Sequence, residues 1–203
     1  MDHLSRGTLV TLVALAICAC TGGEGDKMSP AVEAQVVEAG AAAANALKGT
    51  LITSLTSAMQ QGGPASAIEF CSTSAGALMA RVAADQGLEI KRTTTRYRNP
   101  ANAPDQAEAE ALRHFETVLA ETGDLPGEWV QKVGRDEYRY YQSLSVVPPC
   151  LKCHGTSEEI DPAVQAILDD RYPDDLATDY AVGDFRGLIR VSIPADRVEA
   201  TGD

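Results

Sequence analysis

Cysteine and histidine are scarce in this sequence, and they do not form the patterns of the common structural zinc sites. The 203 residues contain five cysteines and three histidines. The only C-x-x-C pair is Cys150 with Cys153, and the sequence holds neither a second such pair nor an H-x-x-x-H spacing. A structural zinc ion takes four ligands from the protein, so the missing second pair argues against zinc.

Positive charge is also in short supply. The chain has 17 lysines and arginines against 29 aspartates and glutamates, which gives a formal net charge of -12, and the acidic residues are spread along its length. A surface of this sign repels nucleic acids and anionic lipid headgroups, so neither is an expected partner. The charge predicts that a redox partner, whose identity the sequence does not give, is basic.

The sequence lacks any apolar run long enough to cross a membrane. Residues 7–17 are apolar and follow a short polar head, but they are fewer than the ~20 that a spanning helix needs, which is typical of an export signal. Small residues then lead to Cys20, as in a bacterial lipoprotein signal whose last cysteine is lipidated. We predict a signal peptide at residues 1–19 and a periplasmic protein, outside the cytoplasm, that the lipid on Cys20 anchors to the membrane. Ordinary cleavage after Ala19 is the alternative.

No internal repeat divides the chain, and its 44% hydrophobic and 23% charged residues are ordinary for one folded domain. We predict a flexible tether at residues 20–29 and a single domain at residues 30–203. Apolar periodicity and breaker residues predict helices at residues 30–59, 65–86, 105–122 and 161–171, and strands at 88–97, 128–133, 135–147 and 185–193. Early helices and late, hairpin-spaced strands indicate an α+β fold with an antiparallel sheet packed by helices.

Local signals mark two of the helix starts. Ser29 before Pro30 is a typical N-cap, and Asp105 with Glu108 has the spacing of a capping box. Cys71 falls on the apolar stripe of the second predicted helix, so its side chain is expected to face inward.

Cys150, Cys153 and His154 form a C-x-x-C-H motif directly after two prolines. The C-x-x-C pair is shared by zinc sites, thioredoxin-like dithiols and covalent haem attachment. A thioredoxin-like pair would open a helix within a βαβ unit, which the antiparallel pattern does not offer. Histidine after the second cysteine is what haem c requires, because both thiols add to haem vinyl groups while the imidazole binds iron. We therefore predict one covalent haem c on Cys150 and Cys153, with His154 as an iron ligand.

The residue types alone leave the second axial position of the iron open. The candidates are His114, Met59, Met79 and Cys71, or no protein ligand. His114 borders an apolar helix stripe and the methionines sit at core spacing, so each of them also has an ordinary packing role.

Several separated motifs together resemble one family of bacterial single-haem proteins. They are CLKCHG at residues 150–155, YPDD at 172–175, YAVGDFRG at 180–187 and RNPANAP at 98–104. The resemblance covers about residues 30–194. It implies a PAS-like antiparallel sheet packed by helices, and a haem held by histidine on one side and by a cysteine sulfur on the other. The cysteine of that family lies in an A-I-x-x-C helix, which AIEFC at residues 67–71 matches, so the resemblance implies Cys71 as the second ligand.

The two polar loops in these motifs supply further candidate contacts. Arg98, Asn99 and Asn102 in one loop, and Arg186 in the other, are candidates for binding the haem propionates. Turn chemistry and surface solvation are alternative roles for the same side chains.

We expect a single-haem electron-transfer or redox-sensing protein with six-coordinate iron, and not an enzyme. Thiolate is a strong electron donor that favours ferric iron, so a histidine–thiolate pair predicts a low reduction potential. The alternative is a gas- or small-ligand-binding sensor module with a displaceable sixth ligand. A peroxidase-like enzyme would need open iron and a distal acid–base group, for which His114 is the only unassigned histidine of the mature chain.

Overall fold

The structure is a computed structural model that describes residues 28–199. The predicted signal peptide at residues 1–19, the lipidation of Cys20 and most of the tether at 20–29 lie outside these residues and stay predictions. Within the described part of the chain, no helix combines the length and the apolar character that crossing a membrane demands.

The N-terminal helix α1 spans Pro30–Thr73 and bends part-way along. Ser29 caps its start and Pro30 fills its first position, as the sequence predicts. Gly62 and Gly63 have non-helical torsions, with φ of 67° at Gly63. The predicted boundary between two helices is therefore present, as a kink inside one continuous element.

Helix α2 covers Ala75–Gln86, so the prediction of an unbroken helix at residues 65–86 was wrong. The break falls at Ser74. The hydroxyls of Ser72 and Thr73 both bond back to the carbonyl of Glu69. Such bonds compete with the hydrogen bonds of the helix backbone. They explain why α1 ends here although the sequence has neither glycine nor proline at this point.

Four strands form one antiparallel sheet in the order β1-β4-β3-β2. The strands are β1 (Glu89–Thr93), β2 (Glu128–Val133), β3 (Glu137–Ser145) and β4 (Phe185–Pro194). β2 and β3 form the predicted hairpin, and β4 pairs with both β3 and β1. The predicted α+β class with an antiparallel sheet is confirmed, and the open sheet is consistent with a PAS-like fold.

Four further helices connect or follow the strands: α3 (Gln106–Thr122), α4 (Leu151–His154), α5 (Pro162–Arg171) and α6 (Asp196–Glu199). The capping box at the start of α3 is confirmed, because Asp105 and Glu108 each accept a hydrogen bond from the other's backbone N–H. Short 3-10 turns occupy Pro100–Asn102 and Pro148–Cys150.

Helices α1 and α3 pack on opposite faces of the sheet. Ile189 and Val191 of β4 belong to the core that includes Leu47 of α1. The intervening Arg190 instead donates a hydrogen bond to Glu108 of α3. This period of two places one apolar core on the α1 face. The α3 face carries the buried ion-pair network together with a second apolar cluster, which includes Phe115 and Leu188.

Gly40 allows α1 to lie against the buried ring of Tyr140. A Cβ added there would come within 2.2 Å of Tyr140 Cγ, whereas nothing lies within 4 Å of a Cβ added at Gly49 of the same helix. We expect Gly40→Ala to lower the free energy of unfolding by about 1–3 kcal/mol, because overpacking outweighs the gain in helix propensity. Gly49→Ala should raise it by about 0.5–1 kcal/mol. Urea unfolding followed by circular dichroism measures both, and equal shifts would contradict the close approach.

Candidate functional site

The C-x-x-C-H motif lies where the chain leaves β3 and turns through two short helical segments. Cys150 ends the 3-10 turn, and Cys153 and His154 end α4. Cys150 packs against a cluster that includes Val146 and Tyr180, while Cys153 packs against a second apolar cluster, formed by Ile68, Ile160, Val164 and Leu168. Both thiols are free and half-buried. A helical spacing of three places them on one face of this segment.

One hydrogen bond fixes the protonation of His154. Its Nδ1 lies 2.6 Å from the carbonyl oxygen of Ala177. A carbonyl only accepts, so Nδ1 carries the proton and Nε2 keeps a free lone pair. Burial, together with the nearby positive charges of Arg98 and Arg186, lowers the pKa of His154 to about 3. The ring is therefore neutral at physiological pH, which is the form that binds a metal ion.

Residues 177–180 lie across the motif and hold its backbone. The N–H of Tyr180 donates to the carbonyl of His154 at 3.0 Å, and the N–H of Asp179 donates to that of Gly155 at 2.8 Å. Asp179 adopts φ of 57°, a conformation that aspartate tolerates better than most residues. We call residues 177–180 the strap. Its bonds to both the ring and the backbone determine the orientation of His154.

Arg98 joins the motif to the YPDD segment. Its Nε donates to Asp175 Oδ2 at 2.8 Å, and its Nη2 donates to the carbonyl of Cys153. The other oxygen of Asp175 accepts from the N–H of Ala177 in the strap. Arg98, from the RNPANAP motif, thus joins two other motifs that supported the family resemblance, CLKCHG and YPDD.

Cys71 lies on the arm of α1 that follows the kink. Ile68, one turn earlier on the same face, belongs to the apolar cluster against which Cys153 packs. Cys71 itself is exposed, so the prediction that it faces inward was wrong. Protein nevertheless surrounds the thiol enough that burial raises its pKa, while Arg92 and Arg98 lower it in part. Both observations fit a partly covered thiol that lies near enough to Cys153 to interact with it electrostatically. We call Cys71, Cys150, Cys153 and His154 the thiol–imidazole cluster.

Two further arginines adjoin this cluster. Arg92 of β1 has its pKa lowered by burial, with Cys71 and Cys150 among the groups that oppose the shift. Burial likewise lowers the pKa of Arg186 to about 10, and nearby Arg92 adds to the effect. The Arg186 guanidinium lies over the ring of Tyr180, 5.1 Å from its centroid, and its buried Nε has no hydrogen-bond partner.

The remaining predicted residues lie elsewhere or serve the fold. The Asn99 side chain accepts a hydrogen bond from the N–H of Ala101, which is a turn role, and the Asn102 carbonyl accepts from the N–H of Thr94. His114 stacks on Trp129 with ring centroids 4.4 Å apart. Met79 packs against the main core, and Met59 is half-buried in α1.

Comparison with known proteins supports the shared origin that these motifs indicate. Residues 27–194 match the model of the Tll0287-like family. The chain belongs to the Tll0287-like family. The crystal structure of the cyanobacterial haem protein Tll0287 is similar, with 25% sequence identity and a TM-score of 0.56, and the match covers 82% of this chain and 97% of that one. No curated protein matches the chain.

Three residues at the site of this Tll0287-like chain escaped the sequence analysis. Arg92 lies within β1, and the strand pattern gives no sign that this arginine would lack a carboxylate partner. Ala177 acts through a backbone carbonyl, which the residue type does not reveal. Tyr180 was quoted only as part of a motif, although its ring stands at 90° to the His154 ring with centroids 6.4 Å apart. An unpaired arginine in a strand can be recognised only from the folded structure.

Proposed function

We propose that this chain is an exported, single-haem c-type cytochrome that acts in electron transfer or redox sensing and not as an enzyme. Cys150 and Cys153 attach the haem, and His154 and Cys71 are the axial ligands. The observation that carries the proposal is the bond from His154 Nδ1 to the Ala177 carbonyl, which turns Nε2 into a ligand beside two free thiols. The periplasmic location and the lipid anchor on Cys20 are part of the same proposal.

The residues present fit a covalent haem. Two thiols and a neutral imidazole within five residues supply the attachment points and one ligand, and Cys71 is close enough to interact electrostatically with Cys153. The buried Nε of Arg186, which has no hydrogen-bond partner, indicates an anionic group beside this guanidinium. Similarity to a solved haem protein of the same family adds independent support.

Attachment through the two cysteines needs no external oxidant. Each thiol would add its S–H across a vinyl C=C, forming one S–C bond while the hydrogen passes to the other vinyl carbon. Both thiols must be reduced for this addition, and both are free. The bound haem supplies one-electron chemistry at iron. The protein contributes burial, the orientation of His154 by the strap, and a sulfur donor that favours the ferric state.

A small-ligand sensor is the second candidate, and the exposure of Cys71 favours it. A ligand that solvent can reach is more readily displaced than one enclosed in the core. A Cys71 sulfur that is easily displaced would leave room for a gas molecule to bind to the haem that these residues would hold. The two functions share all residues of the cluster and differ in how firmly Cys71 stays bound.

The absorption spectrum of the full chain, produced with haem-attachment machinery, tests the proposed ligands. We expect a low-spin ferric spectrum with the features of thiolate ligation, which Cys71→Ala should lose while keeping the haem. Ser72→Ala, on the next and equally exposed residue of the same helix, is the matched control and should retain the parent spectrum. Identical spectra for the parent and Cys71→Ala would remove Cys71 from the iron.

Carbon monoxide added to the reduced protein separates the two functions. Rapid, stoichiometric binding by the parent would favour the small-ligand sensor. Binding only after the Cys71→Ala substitution would favour electron transfer or redox sensing with a retained sulfur ligand. Turnover with hydrogen peroxide should stay at the background level of free haem, and rates far above it would contradict a non-enzymatic role.

A further inference from the structure

Arg92 and Arg186 lack a carboxylate partner in the structure. Among residues 28–199 neither forms an ion pair, whereas Arg98 is paired with Asp175 at 2.8 Å. Burying a guanidinium without an anionic partner costs free energy. Such a side chain therefore indicates a negatively charged group that pairs with it. Arg186 gives the clearer signal, since its residue is only 9% exposed and its Nε is buried without a partner.

The surroundings of both guanidiniums carry more positive than negative charge. The charged or titratable groups that act on one or both of them are Cys71, Arg92, Arg98, Cys150, Asp175, Tyr180 and Arg186. Asp175 is the carboxylate of this set, and Arg98 already engages it. A local excess of positive charge in a chain of net charge -12 is a feature that an anionic ligand would explain.

We propose that Arg92 and Arg186 bind the two propionate carboxylates of the attached haem. This inference rests on the proposed function. The two unpaired guanidiniums match the two carboxylates in number and in sign, and a planar guanidinium binds a carboxylate through two parallel hydrogen bonds. Arg92 lies near the end of β1 and Arg186 near the start of β4, at the same end of two paired strands. Rigid strands hold both side chains better than the loops that carry the earlier candidates.

The same contacts give other roles to the loop residues that the sequence suggested as propionate ligands. Arg98 ties α4 to Asp175, so it positions the motif. Asn99 completes its own turn. Arg92 takes their place, and of the four candidates from the sequence only Arg186 remains a propionate ligand.

The reduction potential of the holo-protein, measured against pH, tests this assignment. A propionate paired with arginine stays ionised at low pH, so the parent should show a nearly flat potential from about pH 5 to pH 8. Arg92→Gln and Arg186→Gln should each lower the potential at neutral pH, because removing a positive charge favours ferric iron. Each should also make the potential fall with rising pH, because the released carboxylate now takes up a proton on reduction. Arg113→Gln, an exposed residue of α3, controls for the change in net charge.

Two conservative variants guard against a folding defect. Arg92→Lys and Arg186→Lys keep the charge and should keep a flat pH profile. If the glutamine variants fail to retain haem while the lysine variants load it with a flat profile, the requirement for positive charge supports the proposal. The propionate assignment is overturned if the potentials of both glutamine variants differ from the parent potential by no more than the potential of Arg113→Gln does.

Further measurements separate this inference from the proposed function. If the parent holds no haem after denaturation, both the proposed function and the propionate assignment are overturned. Covalent haem in the parent together with unchanged pH profiles in the glutamine variants would overturn only the propionate assignment. Inorganic phosphate that shifts the parent potential at constant ionic strength would show that the arginines bind free anions instead, and would also overturn it.

Discussion

Replacing both Cys150 and Cys153 with alanine is expected to abolish covalent haem completely. No third thiol stands within the C-x-x-C-H motif, and His154 alone holds iron only through a reversible bond. After denaturing electrophoresis, haem staining should be strong for the parent and absent for the double variant. Acidified organic solvent should extract the haem from the variant but not from the parent. Each single alanine variant keeps one attachment point and should keep a weaker stain.

Cys71→Ala is the matched control for this experiment, because it also removes a free thiol from the thiol–imidazole cluster. Its haem staining should equal that of the parent, since a sulfur bound to iron is not a covalent link to the porphyrin. Staining that persists in the double variant would place the attachment on other residues. If staining disappears in Cys71→Ala, Cys71 is an attachment point of the haem, and the roles proposed for the three cysteines are wrong.

Glu108→Ala is expected to lower the free energy of unfolding by about 3–5 kcal/mol, because it removes the buried carboxylate that Lys91 and Arg190 share. Arg190 would then keep only the exposed Glu89, at 2.6 Å, as an ionic partner. The Glu108 carboxylate is fully buried between Lys91, at 2.7 Å, and Arg190, at 3.1 Å. It also accepts hydrogen bonds from Thr93 and from the backbone N–H of Asp105. One substitution therefore removes a capping box, two ion pairs and a link between α3 and the sheet.

Urea unfolding of the holo-protein measures this loss, and Glu110→Ala provides the control. Glu110 lies in the same helix but is exposed, with one hydrogen bond from Gln131 at 3.2 Å. Its substitution should change the free energy of unfolding by less than about 0.5 kcal/mol. Similar losses for the two variants would show that the Glu108 network adds no more than a surface contact.

The elements that the sequence predicted well are those whose signals are local. The capping box of Asp105 and Glu108 needs only two side chains at a fixed spacing, and the hairpin of β2 and β3 needs only two strands around a short turn. The break at Ser74 was missed because no glycine or proline marks it. The cluster of Ser72, Thr73 and Ser74 was the available signal, since these hydroxyls compete for helix carbonyls.

The site was predictable in its chemistry but not in its geometry. Spacing alone identified Cys150, Cys153 and His154 as one unit. The Ala177 carbonyl that sets the tautomer of His154 was not foreseeable, because a backbone atom carries no residue-type signal. Arg98 and Arg92 show the same limit in opposite ways. The sequence suggested Arg98 as a propionate ligand, although Asp175 already pairs with it in the structure. Nothing in the sequence was a reason to choose Arg92, because only the folded structure shows that this arginine lacks an ionic partner.

Under the proposed ligation by Cys71, the kink at Gly63 determines how closely the Cys71 sulfur approaches the iron. The arm from Gly63 to Cys71 is about 12 Å long at the helical rise, so a turn of about 10° at its base would carry the sulfur some 2 Å (roughly the length of a bond to iron). A Cβ at position 63 meets no neighbour within 4 Å, so a substitution there would act through the φ of 67° and not through a clash. Coordination could thus be gained or lost by a backbone change that leaves every residue around the haem intact. Under the proposed ligation, a substitution at Gly63 could then change the spectrum and the potential of this chain although the residues of the thiol–imidazole cluster stay the same.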